Sequence, residues 1–497
     1  MPVLTALTAL ARAIAVREER AQPLTTVRHV HIGARPLVFV PLALAGEANA
    51  PLAALVGDDR AAPHLLVVPQ PRNRAQRFAF AAELGHLVLD YLRSFTHFRE
   101  DVPINRGREV RQRFSDAPQL IVPNPAGVAF TRLLGRSTRL RRTDGPYAVD
   151  PVVPLLGRWL TFLAERAEHP GSSLMVAMTR ALSMHWATGQ SSTEDANLAA
   201  LLGWIAPPEG RSPVEAAADA EDADLWPPAG PATDPTFDNE ILSPAIARHE
   251  RDPRHFDGLR KVLNSQLEPT WHLMWRGIDV LGGLSPGASV AERWADDRDS
   301  FTNYVTYLAG DNPLPQARRD SATAAARRLS TMERAQNVYD VQRAMDDPLV
   351  MAEYRLGGEA FAGTVTYAAP DRIDASSGRR KLRPQILVHT DDPLRLTPGA
   401  TVSDRSRPKQ KAVIVRVSTL DSGGYEVQLE LSGGMGNSLV APPGSVPAVG
   451  ERLTYSALDA AFRQPDRFPA NEETPWTHGG PPQQYVPTND DAVEDWS

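Results

Sequence analysis

The sequence has no cysteine. That excludes a disulfide framework, a thiolate nucleophile and any zinc or iron–sulfur site held by cysteine, and it fits a reducing cytoplasm, where the chain is expected to reside. Lysine is nearly as scarce, with four residues (Lys261, Lys381, Lys409 and Lys411) against 49 arginines. A phosphate-binding GxxxxGK[ST] loop needs a lysine closing a glycine-rich turn, and none of the four has that setting. A kinase strand lysine follows an apolar strand, which Lys381 and Lys409 lack. Nucleases of the PD-(D/E)xK type carry an acid two residues before their lysine; here Leu259, Arg379, Arg407 and Lys409 stand in that place. There is no GxSxG nucleophile elbow. No apolar run approaches the roughly 18 residues that would span a bilayer. The opening stretch MPVLTALTALARAIAV has no basic residue before its apolar run, which Arg12 interrupts, so it predicts an amphipathic helix rather than a signal peptide.

Acid and base are unevenly placed. The chain carries a formal net charge of −7. Residues 206–240 hold nine acids and one base, and 465–497 hold seven acids and one base, so these two segments carry −14 and the remainder +7. Both are rich in proline, alanine and acid with few large apolar residues, a composition that predicts a loosely held linker and a disordered tail.

At 497 residues the chain has room for two to four domains. The expected class is multi-domain α+β: an N-terminal α/β region, a helical middle and a small C-terminal β-barrel of OB or SH3-like type. The α/β region covers 1–150, with strands expected at Val27–Ile32, Leu37–Leu42, Leu65–Val68 and Leu120–Val122. LLVVPQP at 65–71 and QLIVPNP at 119–125 echo each other as a strand stopped by Pro-x-Pro before a helix. Residues 151–205 extend this region with helices over Val152–Glu168, Ser172–Ala187 and Thr193–Trp204. An acidic linker follows at 206–237. The helical domain spans 238–357, its longest helix running from about Ala317 to Ala344. Asp347 and Pro348 then start a new helix that Gly357 and Gly358 end. The barrel occupies 358–460, where the period becomes two: Tyr425–Leu431 alternates, with the turn at 421–424 joining it to Ala412–Ser418. The glycine-rich stretch 433–436 precedes no helix and is expected to be a barrel loop. The acidic tail covers 465–497.

One helix carries a near-motif. In RAQRFAFAAELGH (74–86), Glu83 and His86 follow the apolar strand at 65–68, and the stretch resembles the helix of ImmA/IrrE-type zinc peptidases, whose pattern ends in AHELGH. The resemblance implies Glu83 as general base and His86 as a zinc ligand, with Asp90 one turn further on. Ala82 stands where the first zinc-binding histidine would be, so the paired imidazoles that anchor the metal are missing. Apart from this alternative of a divergent hydrolase, no catalytic residue, cofactor or metal site is expected. The same helix also reads as amphipathic, with Phe80, Leu84, Leu87, Val88 and Tyr91 as its core stripe.

The basic features point to phosphate. Residues 71–142 hold fourteen arginines and six acids, densest at Arg106, Arg108, Arg111 and Arg113 and at Arg136, Arg139, Arg141 and Arg142. Residues 376–411 carry a net +6, through Arg379, Arg380, Lys381, Arg383, Arg405, Arg407, Lys409, Lys411 and Arg395. Guanidinium and hydroxyl donors in loop settings suit phosphate oxygens, and loops joining barrel strands are a usual nucleic-acid contact. Trp271 and Trp275, on one helical face beside Arg276, form a candidate base-stacking pair. The function read from the sequence is therefore a non-catalytic nucleic-acid-binding or accessory protein, in DNA processing or defence against foreign DNA. The segment AVIVRVSTLDSGGYEVQLEL is similar to small barrels appended to helicases, so a helicase or nuclease is an expected protein partner, and no membrane is. The alternative outside nucleic-acid binding is a protein–protein scaffold built on the long helix and the proline-rich tail.

Overall fold

The computed structural model describes residues 5–44, 50–318, 320, 322–375, 378, 380–421, 423–436 and 438–459. The expected tail at 465–497 and Arg379 lie outside the described residues. Mixed helix and sheet fall into two compact units, one holding Thr8–Gln336 and the other beginning at Asn337. The opening stretch is the helix α1 (Ala6–Glu18).

In the first unit, two apolar runs form adjacent antiparallel strands, β1 (Leu37–Ala43) and β2 (Pro51–Gly57), in which every residue is buried. β3 (His64–Val67) pairs with the far side of β2. The chain then forms α2 (Arg74–Arg93) and a hairpin of β4 (Arg99–Ile104) and β5 (Glu109–Phe114) before returning as β6 (Leu120–Val122), parallel to β1. After α3 (Pro125–Thr138) and α4 (Val152–Arg166), β7 (Met175–Ala177) lies parallel beside β6. The sheet order is β3-β2-β1-β6-β7. Both Pro-x-Pro turns lead into helices, through Asn73 capping α2 and Asn124 capping α3 with their side-chain oxygens.

A sheet buried on both faces needs two covers. Leu37 and Phe39 face a core shared with α2, α3 and α4, while Val38, Val40 and Leu42 face another. The second core is completed by α5 (Met178–His185), α6 (Leu198–Ile205) and the long α8 (Phe256–Gly282), with α7 (Pro213–Asp219) beside α6. On the first face α9 (Val290–Leu308) contributes Trp294 and Phe301. The helices expected as a separate domain over 238–357 are thus mostly the covers of this sheet. The expected loose linker is also ordered. Ser212 and Glu215 form a reciprocal capping box at the start of α7, and Ala216, Ala220 and Phe237 are buried. Between Ala220 and Phe237 the backbone at Ala232 bridges to Ala43, and Ala43 N–H donates to the Pro231 carbonyl at 2.7 Å.

Other local expectations are corrected for identifiable reasons. Val27–Ile32 is not a strand, because its amides find other partners: His29 N–H donates to the His185 ring at 3.0 Å and His31 N–H to Ser173 Oγ at 3.0 Å. The helix expected over 172–187 is divided, with β7 preceding α5. The helix expected from Thr193 begins later, as α6, with Asn197 as its cap.

The boundary between the units falls within α10 (Ala322–Asp346). Asp347 then caps α11 (Pro348–Gly357) by accepting from Leu349 N–H at 2.9 Å, and Gly358 closes it in the left-handed conformation, as the sequence suggested. The rest of the second unit is a closed antiparallel barrel of six strands: β8 (Ala360–Ala369), β9 (Gln385–Thr390), β10 (Thr401–Asp404), β11 (Lys411–Thr419), β12 (Tyr425–Ser432) and β13 (Arg452–Ser456). Around the barrel they run β8-β9-β12-β11-β10-β13 and return to β8. An OB-fold has five strands, so this barrel differs from it in number. Val427, Leu429 and Leu431 point inward, as the alternation in β12 requires.

α3 and α4 cross closely enough that a Cβ on Gly157 would stand 2.3 Å from Arg139 N and 2.5 Å from Thr138 Oγ1. Gly258, in the first turn of α8, has open space around it. Gly157→Ala is therefore expected to lower unfolding free energy by about 1–3 kcal/mol. Gly258→Ala should leave it unchanged or raise it by up to about 1 kcal/mol. Urea denaturation of both variants checks the pair.

Candidate nucleic-acid interface

Because neighbouring barrel strands are antiparallel, the connections alternate between its two ends. The 370–384, 405–410 and 433–451 connections all meet at one end. This end gathers every described residue of the second basic cluster except Arg395. The loops are tied to one another there. Gln410 Nε2 donates to the Ser445 carbonyl at 2.9 Å, Arg407 to the Gly444 carbonyl at 2.9 Å, and Ala441 N–H to Asp371 at 3.1 Å.

Some of the cations are spent on this scaffold. Arg407 pairs with Glu451 at 2.8 Å, Arg372 with Glu430 at 2.7 Å, and Arg383 donates to the Leu382 carbonyl at 3.0 Å. Arg405 lies 3.9 Å from Asp346 and is more than half exposed. The remaining four, Arg380, Lys381, Lys409 and Lys411, are exposed, and none has a carboxylate within 4.0 Å among the described residues. The opposite end of the barrel carries Asp391, Asp392 and Asp421 in its connections, with Asp392 held by Arg355 at 2.7 and 2.8 Å.

The first basic cluster is used differently. Arg111 and Arg113 alternate inward on β5 and meet α9: Arg111 pairs with Asp299 at 2.6 Å, and Arg113 with Glu100 at 2.6 Å. Arg106 lies in the hairpin turn Asn105–Gly107, and Arg108 follows it, exposed, with no ion pair among the described residues. Arg136 is exposed at the end of α3. Arg139 is buried and donates to the carbonyls of Gln316 and Ala317 at 2.8 and 2.9 Å. Arg141 donates to the Ser137 carbonyl at 2.7 Å, and Arg142 pairs with Asp144 at 3.0 Å. So Arg111, Arg113 and Arg139 hold the fold, while Arg108 and Arg136 face solvent.

Trp271 and Trp275 do not form an accessible pair. They are 1 % and 9 % exposed, packed edge to face in the second core, and Trp271 Nε1–H donates to the Arg60 carbonyl at 3.0 Å. Glu83, His86 and Asp90 are all exposed on the outer face of α2, whose core stripe is the expected Phe80, Leu84, Val88 and Tyr91. Asp90 pairs with Arg93 at 2.8 Å and lines a shallow cavity of about 250 Å³ with Arg35, Asp58, His64, Tyr91 and Ser94. Among the described residues, no group of three His, Asp or Glu side chains is placed to hold a metal ion. Among the same residues, no helix is long and apolar enough to cross a membrane.

No family model, curated protein or solved structure matches the chain.

A buried polar assembly in the first unit had no sequence signal. Asp297 of α9 accepts from Arg166 at 2.9 Å, Ser172 Oγ at 2.6 Å and Ser173 N–H at 2.6 Å. Arg293 donates to the His29 carbonyl at 3.0 Å, and Gln119 Nε2 bridges the carbonyls of His31 and Ser173 at 2.7 and 2.9 Å. His185 Nε2 accepts the His29 amide, so its proton sits on Nδ1, which faces the Ala181 carbonyl at 2.7 Å. His31 stacks on Trp294 with ring centroids 3.9 Å apart. These groups anchor the segment before β1.

Burial pulls His31 down to about 4, with Asp116 countering only in part. An unfolded imidazole titrates near 6.5. Between these values the unfolded chain binds a proton that the folded chain refuses, so stability is full above about pH 6.5 and declines as pH falls toward 4. His31→Phe keeps a ring on Trp294 and is expected to remove part of that decline. The part due to His169, also held near 4 by burial, would remain. Thermal melting from pH 7.5 to 4.5 reads this out; equal slopes for the two proteins would contradict it.

Proposed function

We propose that the protein binds nucleic acid through its phosphate backbone at the basic end of the barrel, as an accessory factor that performs no chemistry itself. The observation that carries this reading is the group Arg380, Lys381, Lys409 and Lys411, exposed and without carboxylate partners among the described residues, on loops that bond to one another. Cations left without carboxylate partners on an acidic chain concentrate positive potential at one place and attract polyanions. The bonds from Arg407 to Gly444 and from Gln410 to Ser445 beside Lys409 and Lys411 reduce the entropy lost on binding there. The arrangement would serve as strand-connecting loops do in OB-type barrels.

Phosphate contacts position a protein without reading sequence. An accessory role follows, in which a helicase or nuclease partner in DNA processing or defence supplies the choice of site. The hydrolase alternative gains no support from the exposed, unclustered positions of Glu83, His86 and Asp90.

The test is a gel-shift series over salt concentration with a duplex DNA probe. Each phosphate contact contributes about 0.9 to the slope of log affinity against log salt. Replacing Arg380, Lys381, Lys409 and Lys411 by alanine is expected to reduce that slope by about three to four and to leave the melting temperature unchanged. An unchanged slope and affinity would reject the interface.

A further inference from the structure

We propose that Tyr147, in the first unit, is a stacking platform for an unpaired base of single-stranded nucleic acid. This inference rests on the phosphate-binding reading above and names the form of nucleic acid that the protein prefers.

The platform is the last rung of an alternating ladder of cations and rings. The Arg141 guanidinium lies over the Phe78 ring, 5.3 Å from its centroid. Arg74 lies over the same ring at 4.6 Å and over the Tyr147 ring at 5.7 Å. Phe78 is packed against the first hydrophobic core, which fixes the inner end of the ladder. Tyr147 forms the outer end and is 73 % exposed. Arg74 also donates to the Tyr147 carbonyl at 2.9 Å, so one side chain holds both the backbone and the ring.

The loop that carries Tyr147 is closed on itself. Val149 N–H donates to the Arg142 carbonyl at 2.9 Å, Ala148 N–H to the Gly145 carbonyl at 3.2 Å, and the side chain of Arg142 pairs with Asp144 at 3.0 Å. The loop's backbone is held by these bonds, and the ring, contacted by one guanidinium, leaves most of its surface open. A base could lie on the open part of that ring and continue the ladder. Nearby guanidinium charge strengthens stacking on the ring. In a duplex each base face is already stacked on its neighbours, so only an unpaired base can use the platform.

The sequence pair Trp271 and Trp275 promised such a platform and is buried; Tyr147 lies where a ring and arginines do meet at the surface.

The experiment uses the full chain and two labelled single strands of equal length, an oligothymidylate and an abasic strand with the same phosphates, read by fluorescence anisotropy. The wild-type protein is expected to bind the base-bearing strand about tenfold more tightly, the effect of one stacked base. Tyr147→Ala should lose that tenfold and bind both strands alike, at the wild-type affinity for the abasic strand. Tyr147→Trp should keep or increase the preference, which separates a stacking role from mere loop disturbance. Equal binding of the two strands by the wild-type protein would overturn the platform while leaving phosphate binding intact. So would loss of affinity for both strands in Tyr147→Ala, a result that also fits a role for this surface in holding a protein. Failure to bind either strand would overturn both proposals.

Discussion

The first unit is governed by one demand: β1 and β2 are apolar on both faces, so neither face of the sheet can meet water. Alternate residues of β1 enter opposite cores, and each core needs its own layer of helices. α2, α3 and α4 cover one face. The chain between β6 and β7 supplies no cover for the other, so it comes from later in sequence, through α5, α6 and above all α8. Helices that look independent in a one-dimensional reading are thus drawn onto the sheet. The close approach of α3 to α4 at Gly157 and the ordering of residues 206–237 follow from the same need for cover.

The parts of the fold legible in the sequence are those determined by neighbours along the chain. The alternation of β12, the Asp347–Pro348 helix start with its Gly358 stop, the two Pro-x-Pro transitions and the core stripe of α2 depend on residues within a turn or two of each other. Less legible were elements whose partners are remote. β2 (PLAALVG) has one β-branched residue, Val56, between a proline and a glycine at its ends, and is held as a strand by pairing with β1 and β3. β7 is three residues long and adjoins a helix, and only its pairing with β6 separates the two. Val27–Ile32 has the composition of a strand, but its amides go to side chains from α5 and the segment before β7. The assembly around Asp297 joins residues more than a hundred positions apart, and no local pattern announces such a bond.

The candidate site was legible in the same partial way. Counting arginines found both clusters but could not separate those that hold the structure from those that face outward. A guanidinium has five donors, enough to cap carbonyls as Arg139 does or to pair with two carboxylates as Arg113 does, so arginine density overstates available charge. Lysine is the more discriminating marker in this chain. Three of its four lysines sit at one barrel end, exposed, on a surface where the arginines nearest them are partly engaged in tying the loops.

In open α/β sheets the crevice beyond the carboxyl ends of the parallel strands is the customary seat for a ligand. Here the chain sits in its own seat. The Gly230 backbone passes so near β1 that a Cβ on it would stand 2.4 Å from the Pro41 carbonyl oxygen, and Asn124, at the end of β6, donates to the Gly230 carbonyl at 2.9 Å. With this crevice filled from within, the mixed sheet acts as a frame. The exposed loops and helix ends lie away from this point and can vary without disturbing the two cores.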